Sequence, residues 1–350
     1  MTEADGAGQR PPGAARRRAV SLSPEGLVRT ELLGDSQPLP LIARPNVKGV
    51  DLQSWASANR PLIEAWLLRH GGVLFRGFGV RTADEFEQFA SAACGGLLEY
   101  NERSSPRTQV GGRVYSSTDY DADHPIFLHN ENSYQSSWPL KIAFFCETPS
   151  SAGGETPIAD CRRVFARIPA RIRERFAEKG WMYVRNFGDG LGLGWRTVFQ
   201  TTEREVVEGH CRSHGIEFEW KDGGRLRTRS VRPAVARHPR TGELVWFNHA
   251  TFFHVTTLER SVRELLMREF GEHDLPTNTF YGDGSPIEES VADELREAYR
   301  QETVVFPWQR GDLLVLDNML TAHGRRPYAG QRRILVAMAE PVSHDEISDR

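Results

Sequence analysis

The sequence has 350 residues, a net charge of −3 and 39% apolar residues, the composition of an ordinary globular protein. The near-neutral charge gives no electrostatic reason to expect a nucleic-acid partner. No apolar run approaches the roughly 18 residues that a membrane span needs, so a membrane protein is not expected either.

The first residues differ in composition from the rest of the chain. Residues 1–24 are rich in Gly, Ala, Pro and Arg and contain few large apolar side chains, so they cannot bury enough surface to offset the entropy lost on ordering. We predict a disordered tail there, followed by one domain over residues 25–350. This tail lacks the apolar segment of a secretory signal, and the four cysteines form no C-x-x-C pair. Both features favour a cytoplasmic protein with reduced thiols.

Short strands and helices alternate irregularly along the rest of the chain. The predicted strands cover residues 72–78, 141–147, 243–248, 313–317 and 333–338. One predicted helix begins at the capping-box pattern Thr82-x-x-Glu85. Two others cover residues 169–180 and 287–301. The alternation is too irregular for a doubly wound sheet, and it predicts a β-sandwich or barrel wrapped by helices. The glycine-rich stretch 181–220 permits a mobile lid or a long irregular loop.

One short motif, His129-Asn130-Glu131, has the spacing of two metal ligands. Residues two apart on an extended chain point to the same side, so both side chains can reach one ion. Such a pair arises by chance about once or twice in a chain with this many histidines and acidic residues. A second copy, His344-Asp345-Glu346, indeed lies near the C-terminus. The first copy is favoured because it precedes a predicted strand at the edge of a sheet.

A third ligand is expected from the loop that follows strand 313–317. His323 lies there, while His249 and His254, which follow strand 243–248, are alternatives. Two histidines and one carboxylate leave three positions of an octahedral ion open, which suits non-haem iron(II) oxygenases. A keto-acid co-substrate would need an arginine for its far carboxylate, because the guanidinium fork matches that group. Four arginines follow the candidate histidine: Arg325, Arg326, Arg332 and Arg333.

These residues lie within segments that resemble the taurine dioxygenase superfamily of iron(II)/2-oxoglutarate enzymes. The chain is most similar to the branch that contains clavaminate synthase and the syringomycin-type aspartyl hydroxylase, over roughly residues 45–341. The matching segments are GVLFRGF (72–78), ERSSPRT (102–108), HNENSY (129–134), WP (138–139), GGETPIAD (153–160), FNHA (247–250), GDLLVLDN (311–318) and HGRRPYAGQRRILVAMA (323–339).

The resemblance implies a double-stranded β-helix, or jelly roll, flanked by α-helices. It implies that His129, Glu131 and His323 hold Fe(II). It further implies that Arg333 binds the remote carboxylate of 2-oxoglutarate and that the Thr156 hydroxyl contacts the same co-substrate. Glu131 stands where taurine dioxygenase has aspartate, as in the clavaminate synthase branch. The carboxylate argues against the halogenase variants, in which a small residue leaves room for halide.

The activity implied by the resemblance is hydroxylation of an unactivated carbon with dioxygen. The expected substrate is an amino acid or a derivative, tethered to a carrier protein of nonribosomal peptide, and hence antibiotic, biosynthesis. By charge alone, Glu102 and Arg107 are candidates for the amine and the carboxylate of a free amino acid. The acidic carrier would meet basic groups such as Arg225, Arg227 and Arg229. Desaturation, epoxidation or cyclisation of a free small molecule stays an alternative, and a non-catalytic binding protein a more remote one.

Overall fold

The computed structural model describes residues 24–34, 37–99, 108–117, 120–188 and 192–348. The predicted tail, residues 1–24, lies outside the described residues except for Pro24. The tail and the domain boundary therefore stay predictions. Within the described ranges, no helix combines the length and the apolar composition needed to cross a bilayer.

The regular elements of the described chain are as follows. The strands are β1 (Val28–Gly34), β2 (Gln37–Pro45), β3 (Gly72–Phe75), β4 (Gln109–Gly111), β5 (Val114–Ser116), β6 (Ile126–His129), β7 (Ser137–Thr148), β8 (Ala152–Gly153), β9 (Ile158–Asp160), β10 (Trp181–Phe187), β11 (Ile216–Lys221), β12 (Arg225–Arg232), β13 (Val235–Arg237), β14 (Leu244–Trp246), β15 (Thr277–Tyr281), β16 (Thr303–Val304), β17 (Leu313–Asp317), β18 (Thr321–Arg325), β19 (Tyr328–Ala329) and β20 (Arg333–Ser343). The helices are α1 (Pro24–Leu27), α2 (Leu52–Ala58), α3 (Arg60–His70), α4 (Ala83–Cys94), α5 (Cys161–Arg167), α6 (Ala170–Lys179), α7 (Trp195–Val198), α8 (Arg204–Ser213), α9 (Arg260–Glu269), α10 (Glu289–Glu302) and α11 (His344–Ser348).

Two sheets share an apolar core and form a jelly roll. The larger has eight strands in the order β1-β2-β3-β17-β7-β20-β5-β4, and the smaller has the order β16-β9-β18-β6. Side chains from both sheets, such as Phe144, Leu314 and Ile158, pack in the layer between them. This confirms the predicted double-stranded β-helix with flanking helices.

Helices α2, α3 and α4 cover the outer face of the larger sheet. The predicted capping box is present at the start of α4, since the Thr82 hydroxyl accepts the Glu85 N–H and the Glu85 carboxylate accepts the Thr82 N–H. Phe86 and Phe89 then face the sheet, and Phe86 stacks on Phe145 of β7 with ring centroids 5.5 Å apart. Burial of one such ring contributes roughly 1.5–3 kcal/mol, so these contacts attach the helical layer.

Strand β20 lies between the two layers, and its side chains alternate between them. Ile334 and Val336 face the core between the sheets, whereas Leu335 and Ala337 face the helices. The alternation follows from the pleat of a strand, whose successive side chains point to opposite faces. The same alternation determines which side chains at the start of β20 point into the core between the sheets.

The glycine-rich stretch 181–220 is mostly regular structure, so the prediction of an irregular loop is wrong for its described residues. It contains β10, α7, α8 and most of β11. Strand β10 pairs along its length with β12 on one side and β15 on the other. These pairings build a third sheet in the order β11-β12-β10-β15. This sheet shares an apolar core with helices α5, α6 and α10 next to the smaller sheet.

Candidate metal centre

The two predicted ligand motifs meet because strands β6 and β18 pair. His129, the last residue of β6, lies opposite His323 of β18 in an antiparallel register. Gly324 permits the close pairing, since a Cβ there would lie 2.5 Å from the carbonyl oxygen of Ile126. Glu131 follows in the turn after β6. One strand pair thus brings residues that are distant in the sequence to a common point.

The three side chains form a compact group. Their candidate ligand atoms all lie within 4.8 Å of one another. His323 Nε2 lies 3.8 Å from a Glu131 carboxylate oxygen, and the ring centroids of His129 and His323 are 4.6 Å apart. Glu131 is 3% exposed, and a buried carboxylate is costly unless a cation compensates it. Two imidazoles and one carboxylate in this arrangement fit a single iron(II) ion with open positions.

The hydrogen bond that His129 makes through Nδ1 leaves its Nε2 available to a metal ion. Its Nδ1 lies 2.8 Å from the carbonyl oxygen of Phe127. Because a carbonyl oxygen only accepts, we assign the proton to Nδ1. Nε2 then carries the lone pair, which is the usual state of a histidine ligand whose second nitrogen is held by the backbone.

Two buried asparagines position the motif, and sequence reasoning did not single them out. Asn318, directly after β17, hydrogen-bonds the backbone of Glu131 and donates from Nδ2 to the Pro139 carbonyl oxygen at 2.8 Å. Asn130, between the two ligands, donates from Nδ2 to the Asn318 carbonyl oxygen at 2.6 Å. Both are 0% exposed. Their sequence signal was present, because both belong to the segments that carry the family resemblance.

The alternative ligands His249 and His254 do not join the group. The His249 ring lies 5.3 Å from that of His129, but its Nδ1 is 2.6 Å from the Ser133 hydroxyl. Burial, and then the electrostatic interaction with His129, lower the pKa of His249 well below its usual range. His254 Nδ1 contacts the Thr256 hydroxyl at 2.6 Å. The structure therefore brings His323 to the His-x-Glu motif rather than either alternative.

A cavity beside the group is lined by an arginine that forms no ion pair within the described part of the chain. His129, His323, Thr156 and Arg332 line it. Arg332 donates from Nε to the Gly154 carbonyl oxygen at 2.8 Å, and among the described residues no acidic side chain forms an ion pair with it. The Thr156 hydroxyl, which accepts a hydrogen bond from a tryptophan, is buried. A cation and a hydroxyl next to a metal group can bind a small carboxylate.

Burial and neighbouring charge act on the arginines of this cavity. Burial, followed by the nearby charge of Arg325, lowers the pKa of Arg332 to about 10. Arg325 is also in the lining, but its guanidinium donates to the carbonyl oxygens of Tyr120, Asp121 and His124. Arg325 is thus committed to the backbone, whereas Arg332 retains capacity for a ligand.

Arg333, the predicted clamp for 2-oxoglutarate, does not face the cavity. Its side chain is 53% exposed and its Nε lies 2.8 Å from a Glu147 carboxylate oxygen. The physical reason is the alternation of β20. Arg332, the residue before β20, lines the cavity together with Ile334, whereas Arg333, the first residue of β20, is not in its lining. In the structure the two arginines point in opposite directions and Arg332 is the inward one. The clamp role of Arg333 stays a prediction, and the geometry adds Arg332 as a candidate for it.

The remaining predicted residues lie elsewhere or outside the described ranges. Glu102 and Arg107 fall within 100–107, which the structure does not describe, so their role stays a prediction. His344, from the second His-x-Glu copy, packs its ring against Trp138 at 4.8 Å and is not in the metal group.

The basic residues predicted to meet a carrier are partly neutralised. Arg227 is buried and forms an ion pair with Asp274, and Arg229 lies 3.5 Å from a Glu219 carboxylate oxygen. This segment is therefore a poorer candidate for an acidic partner than its sequence suggests.

A jelly roll with two histidines and one carboxylate grouped beside a cationic cavity defines a mononuclear non-haem iron oxygenase. Residues 35–338 match the family described as taurine catabolism dioxygenase TauD, TfdA family. The chain belongs to this family. Membership confirms the resemblance and the predicted enzyme class, a dioxygenase dependent on iron(II) and 2-oxoglutarate.

Comparisons of the chain with individual proteins agree with this family membership. The chain is 41% identical over 280 residues to the dapdiamide synthesis protein DdaC of Enterobacter agglomerans, covering 80% of this chain and 85% of that protein. It is 28% identical over 324 residues to a clavaminate synthase-like protein of Arabidopsis thaliana, covering 87% and 95%. Its fold is similar to the crystal structure of PvcB from Pseudomonas aeruginosa, with a TM-score of 0.54, 17% identity and coverage of 93% and 94%.

Proposed function

We propose that the protein hydroxylates an unactivated carbon of an amino acid or amino-acid derivative, presented on a carrier protein, in natural-product biosynthesis. The observation that carries the proposal is that the candidate ligand atoms of His129, Glu131 and His323 lie within 4.8 Å of one another beside a cavity lined by Arg332. The 41% identity to a protein of dapdiamide synthesis supports a biosynthetic role.

The residues of the site have distinct proposed roles. His129, Glu131 and His323 would hold Fe(II), and Arg332 would bind the remote carboxylate of 2-oxoglutarate with the Thr156 hydroxyl beside it. When bound, iron(II) together with 2-oxoglutarate and dioxygen supplies the oxidant that removes hydrogen from an unactivated carbon, with succinate and carbon dioxide as co-products. The chain contributes orientation of these groups rather than oxidising power.

Aromatic rings pack against both histidines of the metal group. The ring of Phe252 lies 4.9 Å from that of His129, and the ring of Phe144 lies 5.1 Å from that of His323. Ile334 adds an aliphatic wall to the cavity. A dry environment strengthens the interaction between Arg332 and a carboxylate and limits side reactions.

Anaerobic titration tests the cofactor assignment. The protein is titrated with Fe(II) and then with 2-oxoglutarate under nitrogen, and the visible spectrum is followed for the weak charge-transfer band of the chelated keto acid. We expect a band that saturates at one equivalent of each component. A wild-type protein that binds Fe(II) but develops no band with 2-oxoglutarate would contradict the proposal.

Mass spectrometry tests the form of the substrate. The same set of amino acids is offered free and as thioesters on a carrier protein, with Fe(II), 2-oxoglutarate and dioxygen. We expect addition of one oxygen to be faster for a carrier-bound amino acid. Efficient oxygen addition to the free amino acid, with no advantage for the thioester, would overturn the carrier-bound form and leave the enzyme class intact.

A further inference from the structure

A second cavity lies next to the metal motif, on the sheet β11-β12-β10-β15. Its volume is about 290 Å³, near the lower end of the roughly 300–1,000 Å³ of small-molecule sites. One face of the sheet forms its floor, with Tyr183 and Arg185 from β10 opposite Ser230 and Thr228 of β12. Because these positions are two apart on each strand, their side chains point into the same space.

The wall nearest the metal is Tyr134, three residues after the proposed ligand Glu131. The Tyr134 ring lies 5.1 Å from that of His249, which is itself 5.3 Å from that of His129. Helix α8 contributes the opposite wall. The rings of Tyr134 and His249 therefore connect the cavity to His129, and the turn that carries Glu131 also carries Tyr134.

The cavity is lined by basic and neutral side chains. Its described lining contains no aspartate or glutamate, and its titratable cationic groups are Arg185, Arg232, His210 and His214. Arg232 donates to the carbonyl oxygens of Val231 and His214. Arg185 instead makes no hydrogen bond or ion pair with any described residue, and its Nε is buried. Its guanidinium lies over the ring of Phe187 at 4.7 Å, which holds it in place without using its donors.

Two hydroxyls on the floor also retain hydrogen-bonding capacity. Thr228 and Ser230 are buried at 5% and 7% exposure, and neither hydroxyl hydrogen-bonds to another described residue. Buried donors without partners are costly, so a site that carries an uncommitted guanidinium and two uncommitted hydroxyls is suited to a polar, negatively charged ligand.

We propose that this cavity binds an oxyanion of the substrate, a carboxylate or a phosphate, and that Arg185 is the residue that binds it. The planar guanidinium donates two parallel hydrogen bonds to either group, and Thr228 and Ser230 donate further hydrogen bonds to the oxygens of the same group. The inference rests on the proposed function, because the oxyanion belongs either to an amino-acid carboxylate or to the phosphate of a carrier's 4′-phosphopantetheine arm.

Two matched pairs of probes test this site by isothermal titration calorimetry, under nitrogen, on protein loaded with Fe(II) and saturating 2-oxoglutarate. The first pair is 4′-phosphopantetheine and pantetheine, and the second is N-acetylalanine and its N-methylamide. In each pair only the oxyanion differs. We expect the charged member of one pair to bind at least about 10-fold more tightly than its neutral partner, and the pair concerned identifies the source of the oxyanion.

Arg185→Gln should abolish that preference, and Arg185→Lys should retain part of it, because lysine keeps the charge without the fork. Arg196→Gln is the matched control. Arg196 also lies over an aromatic ring, that of Trp195, but does not line the cavity, so its loss should leave the preference unchanged. Equal binding of charged and neutral probes, or a preference that survives Arg185→Gln, would overturn the inference. The charge-transfer band recorded on the same wild-type samples reports separately on the proposed function.

Discussion

Asn318 holds the backbone of Glu131 from both sides. Its Oδ1 accepts the Glu131 N–H at 2.8 Å, and its Nδ2 donates to the Glu131 carbonyl oxygen at 2.9 Å. Asn318 follows β17, whose five residues are all buried in the larger sheet. The position of a proposed ligand on a turn is thus determined by the rigid core of the jelly roll.

The first prediction concerns this asparagine. Asn318→Ala should weaken Fe(II) binding by about 10- to 100-fold, the usual effect of losing a residue that orients a ligand. Anaerobic Fe(II) titration measures the change. Asn278→Ala is the control, since Asn278 is also buried and accepts a backbone hydrogen bond, from Val255. Equal losses of Fe(II) affinity in the two variants would show general destabilisation instead of a positioning role.

The metal group itself makes a second prediction. Alanine at His129, Glu131 or His323 should remove nearly all substrate-coupled succinate formation, because each substitution removes one of three ligands. His344→Ala should change little, since the structure places that histidine against Trp138. Succinate is measured by chromatography with the substrate present. Loss of turnover in His344→Ala together with an active His129→Ala would refute the ligand assignment.

The third prediction ranks two adjacent arginines. Arg332→Ala should raise the apparent KM for 2-oxoglutarate at least about 100-fold, because two charge-assisted hydrogen bonds of about 1.5–3 kcal/mol each are lost. Arg333→Ala should raise it less than about 3-fold, since its exposed pair with Glu147 contributes little. Steady-state kinetics at saturating substrate give both values. The opposite ranking would restore Arg333 as the clamp.

A buried ion pair makes a stability prediction. Arg76 and Asp312 form a bidentate pair with distances of 3.0 and 2.6 Å, and both side chains are buried. Asp312→Ala should lower the free energy of unfolding by about 3–5 kcal/mol, because it leaves a buried guanidinium without its partner. Glu31→Ala breaks the exposed pair with Arg44 and should cost less than about 1 kcal/mol. Urea denaturation of the wild type and the two variants measures both losses of unfolding free energy. Similar losses in the two variants would show that burial of the pair is unimportant.

The fifth prediction is a pH dependence. Burial, and then the charge of Arg296, lower the pKa of His254 from 6.5 to about 4. The unfolded chain therefore binds this proton more readily, so the contribution of His254 to stability is full above pH 6.5 and is lost as the pH falls towards 4. Between pH 7 and pH 5 the wild type should lose about 2 kcal/mol more than His254→Gln. Urea denaturation at both pH values measures this difference, and parallel losses would show that His254 does not titrate in this way.

Local patterns in the sequence predicted many elements of the fold. The capping box of Thr82 and Glu85 and the helix stop at Gly180 depend on contacts within a few residues, and the structure shows both. The predicted strand 313–317 is β17, a short run of four apolar residues and Asp317 that is buried along its whole length. The third sheet was missed because its central strand β10 pairs with β12 and β15, which lie far along the chain from it.

The sequence by itself predicted the family, the enzyme class and the three residues that the fold brings together as a candidate metal group, because the motifs around His129 and His323 are recognisable as short ordered segments. It could not determine which of Arg332 and Arg333 faces the cavity, or that Asn318 holds Glu131. The side chains of any strand alternate between its two faces. Which set faces inward therefore depends on how those side chains pack against the layers on either side. In β20, Ile334 packs between the sheets and Leu335 against the helices. That packing turns Arg332 towards the metal group and leaves Arg333 at the surface.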